Sequence, residues 1–544
     1  MKDSLEQNEG ASGLVRIKRA LVSVSDKTNL IDLVRVLADY DIEILSTGGT
    51  ARAIREAGIP VQLVEDWTGF PECFGGRLKT LSPQIYGGIL HRRDNPSHVA
   101  DANRLKMGQI DLVVCNLYPF QKHVDMKSPN DELIENIDIG GPSMIRAAAK
   151  NHQSVTICTD PSQYEKLISN LVGGGGQTSI EFRRELAVDA YRLTAQYDAA
   201  IAAELDVRFS KGRPVFPRSI QLPHQTELRY GENPHQRAAV AVTTGAGAGA
   251  GAGGVASASV LQGKELSWNN LLDADGAWRL VSDLAMFSND PAVAIIKHGN
   301  PCGVTIAKSV DEALARAWDQ DSTSAFGSII ACTHKVTEEM ATFLQDRFCE
   351  VILAPGYMPA ALKVFSRKKA LRLLQLELLA ADKEVSIRSI SGGFLMQEED
   401  VGIDPELVHT TILKLNNGQA DAARFGVIVA KHLKSNSIAL VAQTSTGFEV
   451  VGAGMGQPNR IDSLRKLALP RAIENMKRSS IQVQDLVLAS DAFFPFPDTV
   501  EAAAEAGIKS IIQPGGSIRD PEVIEACNRL GVAMAFTGRR HFRH

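Results

Sequence analysis

Residues 291–303, Pro-Ala-Val-Ala-Ile-Ile-Lys-His-Gly-Asn-Pro-Cys-Gly, set Lys297 and His298 side by side at the end of an apolar run. Each cation disfavours protonation of the other, so the pair favours a neutral, basic imidazole near pH 7. Val293–Ile296 has the length and composition of a buried strand. The two side chains are therefore expected at the carboxyl edge of a sheet, where open α/β sheets take their ligands. Gly299, Pro301 and Gly303 predict a tight, hydrogen-bond-poor turn that fixes the backbone beneath them. For these residues alone, a solvated Lys-His pair before a turn is the alternative.

A second group of reactive side chains lies in the first third of the chain. Arg19–Thr28 and Glu43–Thr50 each read as a short strand running into a hydroxyl-bearing turn, followed by helices over 29–40 and over the stretch ARAIREAG that Gly58 closes. Two such turns at one sheet edge offer backbone N–H groups, hydroxyls and Lys27 to a phosphate, although neither is a Walker motif and a helix cap accounts for either one singly. Arg77 and Lys79 follow in Gly-Gly-Arg-Leu-Lys-Thr-Leu. Tyr118 ends an apolar strand at 111–117. Asp138 precedes Gly140-Gly141, which opens a helix carrying Lys150. All five fall at loops, strand ends or helix termini, where sites are built.

With 544 residues, 44% hydrophobic and 22% charged, the chain predicts two to four globular domains. No apolar stretch is long enough for a membrane helix, and the polar N-terminus resembles neither a secretory nor a transit signal, so a cytoplasmic location is expected. Cys73, Cys115, Cys158, Cys302, Cys332, Cys349 and Cys527 are scattered and lack CxxC spacing, which argues against a disulfide framework and a structural zinc site. A formal charge of −5 leaves no footprint for nucleic acid. The helix over 180–205 and the proline-bearing stretch 206–224 mark a domain boundary, giving domains 1–210 and 211–544, and the Gly245–Gly254 run is read as a loop tip. The terminal Thr537–His544 should fray unless a ligand or a neighbouring subunit holds Arg540 and His544. His298-x-Asn300-Pro301-Cys302 loosely matches the zinc signature of nucleobase deaminases. It has Asn for the acid/base Glu and Thr305 for the second cysteine, so a hydrolytic zinc site is disfavoured.

In combination and in order, SVSDKT, STGGT, GRLKTL, NLYPF, IDIGGPS, AAAKNH, RYGENPHQ, IIKHGNPCG, SAFG, APGY, ISGG, KSNS, ASDAFFPF and the final RHFRH closely resemble the bifunctional purine biosynthesis family, AICAR transformylase/IMP cyclohydrolase, over nearly the whole chain. The resemblance implies an α/β architecture. Its N-terminal domain is methylglyoxal-synthase-like, and its C-terminal transformylase region consists of two cytidine-deaminase-like units without catalytic metal. It further implies formyl transfer from 10-formyltetrahydrofolate to AICAR, closure of FAICAR to IMP with loss of water, and a homodimer.

By that resemblance His298 removes a proton from the weakly nucleophilic AICAR amine, help worth about 10² to 10⁴ in rate. Lys297 stabilises the oxyanion or protonates the departing folate nitrogen, and Asn436 orients the imidazole or the formyl oxygen. Arg229, Tyr230, Phe326, Gly327, Glu350, Arg460, Phe493 and Arg540 are implied in AICAR binding. In the first domain Lys79, Tyr118, Asp138 and Lys150 polarise the formyl oxygen and move protons. Ser25, Lys27, Ser46, Thr47, Gly48, Gly49 and Thr50 hold the phosphate, with Arg77 and Thr80 also on substrate. Two histidines usual after GRxKTL are replaced by Ser82 and Tyr86, and Glu350 stands where some members carry Asp. A transformylase whose first domain only binds nucleotide is the competing reading.

Overall fold

Apolar runs in the first third of the chain, several ending in a hydroxyl- or amide-bearing turn, become parallel neighbours. The strands β1 (Arg19–Ser23), β2 (Glu43–Ser46), β3 (Gln62–Leu63), β4 (Leu112–Cys115) and β5 (Thr156–Cys158) form a parallel sheet in the order β3-β2-β1-β4-β5. Their inner residues Leu21, Leu45, Val113 and Ile157 are fully buried, as expected of a parallel sheet covered on both faces. The covering helices include α1 (Leu30–Asp39), α2 (Gly48–Glu56), α3 (Pro83–Leu90), α4 (Gly140–Lys150) and the long α5 (Ile180–Phe209). Apolar spacing at 30, 33, 34 and 37 puts those four residues of α1 into the core. Gly48, Gly49 and Thr50 form the first turn of α2, so the helix starts three residues before the stretch that the sequence suggests.

The computed structural model describes residues 13–211, 216–220, 222, 224–242, 254–379, 385–402 and 406–544. Expectations for the first twelve residues, for Pro214 and Pro223, and for most of Gly245–Gly254 lie outside them. The chain divides at position 223/224 into two compact units, the second running to His544.

Among the described residues, the second unit is organised by a twelve-stranded sheet whose two halves repeat one order of elements. The first half runs β6 (Ser259–Gln262), α6 (Trp268–Phe287), β7 (Ala292–Lys297), β8 (Asn300–Ile306), α7 (Val310–Gln320), β9 (Ser328–Cys332), β10 (Cys349–Ala354) and β11 (Arg372–Gln375). The second runs β12 (Val408–His409), α8 (Asn417–His432), β13 (Ile438–Thr444), β14 (Gly447–Gly454), α9 (Leu469–Met476), β15 (Val487–Ser490), β16 (Ser510–Gln513) and β17 (Ala533–Phe536). Strand order is β6-β11-β10-β9-β7-β8-β14-β13-β15-β16-β17-β12. The halves meet at the antiparallel pair β8–β14, with Thr305 opposite Glu449 and Ile306 opposite Phe448.

Helices α6 and α8 lie side by side on one face and share a core with strands of both halves. The other face has a separate core under each half. Both helices begin with a capping box, Ser267 with Asn270 and Asn416 with Gln419. At one sheet edge the β13–β14 turn is closed by an ion cluster, in which Arg316 bonds Glu449 at 2.5 Å and Thr446 bonds Glu312 at 2.6 Å.

A buried polar clamp joins α6 to α8. Asp283 receives Lys431 at 2.8 Å and His432 Nε2 at 2.7 Å. Burial pushes the Asp283 carboxyl up, but the bonds and charges of His432 and Lys431 outweigh it and hold the group below the ordinary carboxylate range. Burial holds His432 below its ordinary value despite Asp283. The unfolded imidazole therefore takes a proton as pH falls below about 6.5, while the folded one does not until lower pH, and folding stability drops across that window. Asp283 adds its own loss only further into acid, because its folded pKa lies below the unfolded one. Urea unfolding at pH 7.5 and 5.5 should show this loss, and His432→Gln should shrink the difference between the two pH values; an unchanged difference would disprove the assignment.

Candidate functional site

In the first unit, parallel pairing brings the carboxyl ends of β1, β2 and β4 to one edge. Asn116, just past β4, accepts from Ser25 N at 2.6 Å and Asp26 N at 3.0 Å and donates to Asp26 O at 2.9 Å. That bracing consumes two of the N–H groups that sequence reading offered to a phosphate, and leaves Lys27 exposed above the turn. Ser46 is likewise turned inward, its hydroxyl donating to Val22 O at 2.7 Å. Thr50 Oγ1 accepts from Val24 N at 3.1 Å and donates to Val24 O at 2.9 Å. Both hydroxyls, expected on the phosphate, instead pin β2 and α2 to β1.

Thr47, Gly48 and Gly49 remain at the outer edge, with Thr47 Oγ1 3.1 Å from Ser23 Oγ. An α2 N-terminus of this kind presents unpaired N–H groups and a positive dipole end. It opens on a cavity of about 500 Å³ that also takes in Lys79, Arg52 and Arg55. The two arginines were not singled out from sequence; their i, i+3 spacing after STGGT was the available signal.

Asp138 lies at the head of α4, accepting from Gly141 N at 2.8 Å, while Tyr197 of α5 receives its backbone N–H at 2.8 Å. Burial pushes its carboxyl above the ordinary range, against the bonds from Gly141, Tyr118 and Gly140. Thr80 approaches the same turn, since a Cβ on Gly140 would lie 3.1 Å from its hydroxyl. Lys79 pairs with Glu72 at 3.3 Å, Tyr118 is half exposed and Arg77 pairs with Glu135 on the surface. Lys150 lies at the far end of α4. Asp138 precedes the N-cap of that helix, which at 1.5 Å per residue spans about 15 Å between its first and last residues. Ser82 caps α3 through Ile85 N, and burial pushes the Tyr86 phenol up to about 12.

In the second unit the pairings place the β7–β8 turn, the start of β9 and the carboxyl ends of β14 and β15 along one sheet edge. Lys297 is half-buried and donates to Phe326 O, beside Gly327; His298 is exposed. The turn differs from the hydrogen-bond-poor one expected. It is a two-residue hairpin, His298-Gly299, whose N–H groups reach Asp273 at 3.0 and 2.6 Å, while Pro301 and Gly303 lie within β8 at a register shift. Asp273 belongs to α6. It was missed because a carboxylate one turn into a helix carries no local mark of its partner 25 residues on.

Glu350 heads β10 and accepts from Asn270 of α6 at 2.7 Å, with Arg372 at 3.7 Å. Phe326 and Phe348 pack at 5.2 Å. Arg229 lies over the Tyr230 ring at 4.7 Å, in a turn tied to α6 by Asn269 donating to Glu232 O. Across the sheet, Asn436 donates to Gln457 O at 2.9 Å, and Lys434 Cε would lie 3.9 Å from a Cβ on Gly299. Arg460 pairs with buried Asp491 at 3.0 Å and bonds Ser490. Phe493 follows two residues after Asp491 and is half-buried.

The chain terminus is tied to the second unit by its own backbone and Arg543. Ser435 N bonds Arg543 O at 2.8 Å, Arg543 reaches His432 O at 2.8 Å, and His541 N bonds Asp491 O at 2.9 Å. Arg540, exposed, lies over Phe542 at 4.3 Å. One edge thus gathers a base, several cations, an amide and aromatic faces, which suits a flat anionic heterocycle undergoing proton and acyl transfer.

Comparison with known proteins fits this chemistry. A family model for the AICARFT/IMPCHase bienzyme matches residues 148–471, and one for the MGS-like domain matches residues 29–143. A bifunctional purine biosynthesis protein PurH of Dinoroseobacter shibae is 47% identical over 98% of this chain and 99% of its own. One of Roseobacter denitrificans is 47% identical over the same shares. No helix among the described residues is long and apolar enough to cross a membrane.

Because Thr50 satisfies a buried backbone N–H, Thr50→Val should destabilise the first unit by about 1–3 kcal/mol, whereas Thr50→Ser should recover most of the loss. Thermal denaturation followed by circular dichroism checks this, and equal midpoints for Thr50→Val and the parent would contradict it.

Proposed function

The chain belongs to the AICARFT/IMPCHase bienzyme family, and from that membership we propose how its two units divide two consecutive reactions. It is an enzyme of de novo purine biosynthesis. As a phosphoribosylaminoimidazolecarboxamide formyltransferase it passes a formyl group from a formyl-folate to AICAR, giving FAICAR; as an IMP cyclohydrolase it closes FAICAR to IMP with loss of water. We assign formyl transfer to residues 211–544, which contain the second unit, with 10-formyltetrahydrofolate as donor, and ring closure to residues 1–210 of the first. The repeated order of elements in the second unit supports reading it as two cytidine-deaminase-like halves.

The convergence of Lys297, His298, Asn436 and Arg460 on one sheet edge carries the assignment. The AICAR amine is a poor nucleophile because its lone pair is drawn into the imidazole-carboxamide system. His298, exposed at that edge, takes its proton as nitrogen attacks the formyl carbon. Lys297 faces the oxygen on which negative charge grows or the folate nitrogen that departs, and Asn436 steadies the imidazole or that oxygen. Glu350 and the Phe326–Gly327 turn take the carboxamide side. Arg229, Tyr230, Phe493 and Arg540 supply guanidinium groups and rings for phosphate and heterocycle. Arg460, neutralised by Asp491, serves more as a wall than as a free cation.

Ring closure is intramolecular, so holding the carboxamide nitrogen against the formyl carbon supplies much of the effect, up to about 7–11 kcal/mol. The α2 N-terminus with Thr47, Gly48, Gly49 and Lys27 is our phosphate site. Asp138, which burial makes hold its proton more tightly than an ordinary carboxylate, works with Lys79 and Tyr118, flanked by Thr80 and Arg77. Loss of the two usual histidines at Ser82 and Tyr86 favours a second reading, in which the first unit binds nucleotide without closing the ring. A cytoplasmic setting agrees with seven free cysteines.

Purified protein given AICAR and 10-formyltetrahydrofolate should yield IMP; accumulation of FAICAR would select the second reading. His298→Ala should lower formyl transfer by about 10² to 10⁴ and leave closure of supplied FAICAR intact, and Asp138→Asn should do the reverse. Loss of both activities in either folded variant would refute separate sites.

We also infer a homodimer formed through the hairpin Val385–Ile390/Gly393–Glu398, which leaves Ile390, Phe394 and Leu395 exposed, Phe394 at 65%. Light scattering should report two chains for the parent and one for Phe394→Asp; an unchanged mass in the variant would exclude this hairpin.

A further inference from the structure

We propose that Asp273 is a positioning residue that sets the aim of His298, an inference that rests on reading His298 as the base of formyl transfer. The turn between β7 and β8 has two central residues, and both have positive φ, 51° at His298 and 74° at Gly299. This is the signature of the tight hairpin turn that favours Asn-Gly or Asp-Gly, because the first central residue must tolerate a left-handed backbone. Histidine visits that region more readily than most side chains but still at a cost, which its surroundings offset here.

The holding group comes from α6. One oxygen of the Asp273 carboxylate accepts from His298 N at 3.0 Å and the other from Gly299 N at 2.6 Å, so both consecutive N–H groups of the turn meet one rigid, charged acceptor. Asn300 closes the opposite side, donating from Nδ2 to His298 O at 3.1 Å. With both oxygens engaged on backbone, the carboxylate reaches the reaction only through the direction it gives the imidazole.

The same helix start also reaches the substrate side. Asn270, locked with Ser267 in the capping box of α6, donates to Glu350 at 2.7 Å. Two turns of one capped helix therefore tie the base and a carboxylate of the nucleotide pocket to a common support. Replacing Asp273 frees two N–H groups, lets the left-handed turn relax and swings the imidazole off its line to the amine, while Glu350 and the cationic groups stay in place.

The test uses the full-length enzyme with both activities measured. Asp273→Ala should lower kcat for formyl transfer by about 100-fold, the loss that a misplacement of about 1 Å brings, with little change in KM for AICAR and none in cyclohydrolase rate. Asp273→Asn, which is isosteric but keeps one acceptor, should lose about 10-fold and carries the test if the alanine variant does not fold. In a His298→Ala background, Asp273→Ala should cause no further loss on the residual rate, because its effect passes through the missing imidazole.

A kcat at the parent level in both Asp273 variants would overturn the proposal. So would a rise in KM with kcat unchanged, which would make Asp273 a substrate contact, or an undiminished loss in the His298→Ala background. If His298→Ala itself transfers formyl at the full rate, the reading of the base fails and this proposal with it; if His298→Ala is inactive while Asp273→Ala is normal, only this proposal fails.

Discussion

The antiparallel join between β8 and β14 is the constraint on which the second unit depends. Only two residue pairs make it, Thr305 with Glu449 and Ile306 with Phe448, yet it merges two six-stranded halves into a single sheet. Because the pairing is antiparallel, the turn that follows β7 in the first half comes to the same edge as the start of β13 and the ends of β14 and β15 in the second. Lys297 and His298 thereby come to the same edge as Lys434, Asn436 and Arg460, residues more than a hundred positions away. The core beneath, shared by α6 and α8, and the Asp283 clamp between those helices keep the halves in register. The site is a product of the fused sheet, and neither half owns it.

In the first unit the same logic works through a parallel sheet. All strand ends face one way, so hydroxyls, a helix N-terminus and basic side chains collect there without long-range design. Burial then separates their duties. Ser46 and Thr50 become internal ties, Thr47 and the two glycines stay outward, and Asp138 is desolvated enough to hold its proton more tightly than an ordinary carboxylate. The replacement of two histidines by Ser82 and Tyr86 is absorbed locally. The serine caps a helix, and the phenol lies within the packed layer.

Much of this was legible in the sequence where function follows local pattern. The buried strand ending at Lys297, the helix at 30–39 and the glycine-opened helix at 140 all follow from spacing and breakers. Long-range partnership was not legible. Nothing near Asp273 announces that its carboxylate caps a turn 25 residues on, and nothing near Arg543 announces that the chain end is tied to Ser435 and His432. Sequence order also hides distance along a helix. Asp138 and Lys150 look close in a motif, yet one precedes the N-cap of an eleven-residue helix and the other ends it.

The repeated architecture of the second unit has a consequence for how its surface divides. The relation that brings the β7–β8 turn to one rim sends its counterpart, the β13–β14 turn at Thr444–Gly447, to the other. There Arg316, Glu449, Thr446 and Glu312 interlock and occupy the space with their own charges. The repeated order thus gives two related rims, one closed by internal ion pairs and the other bearing the exposed His298. The scaffold keeps a self-satisfied margin that braces the sheet, and its other margin carries side chains whose charges are less fully matched from within.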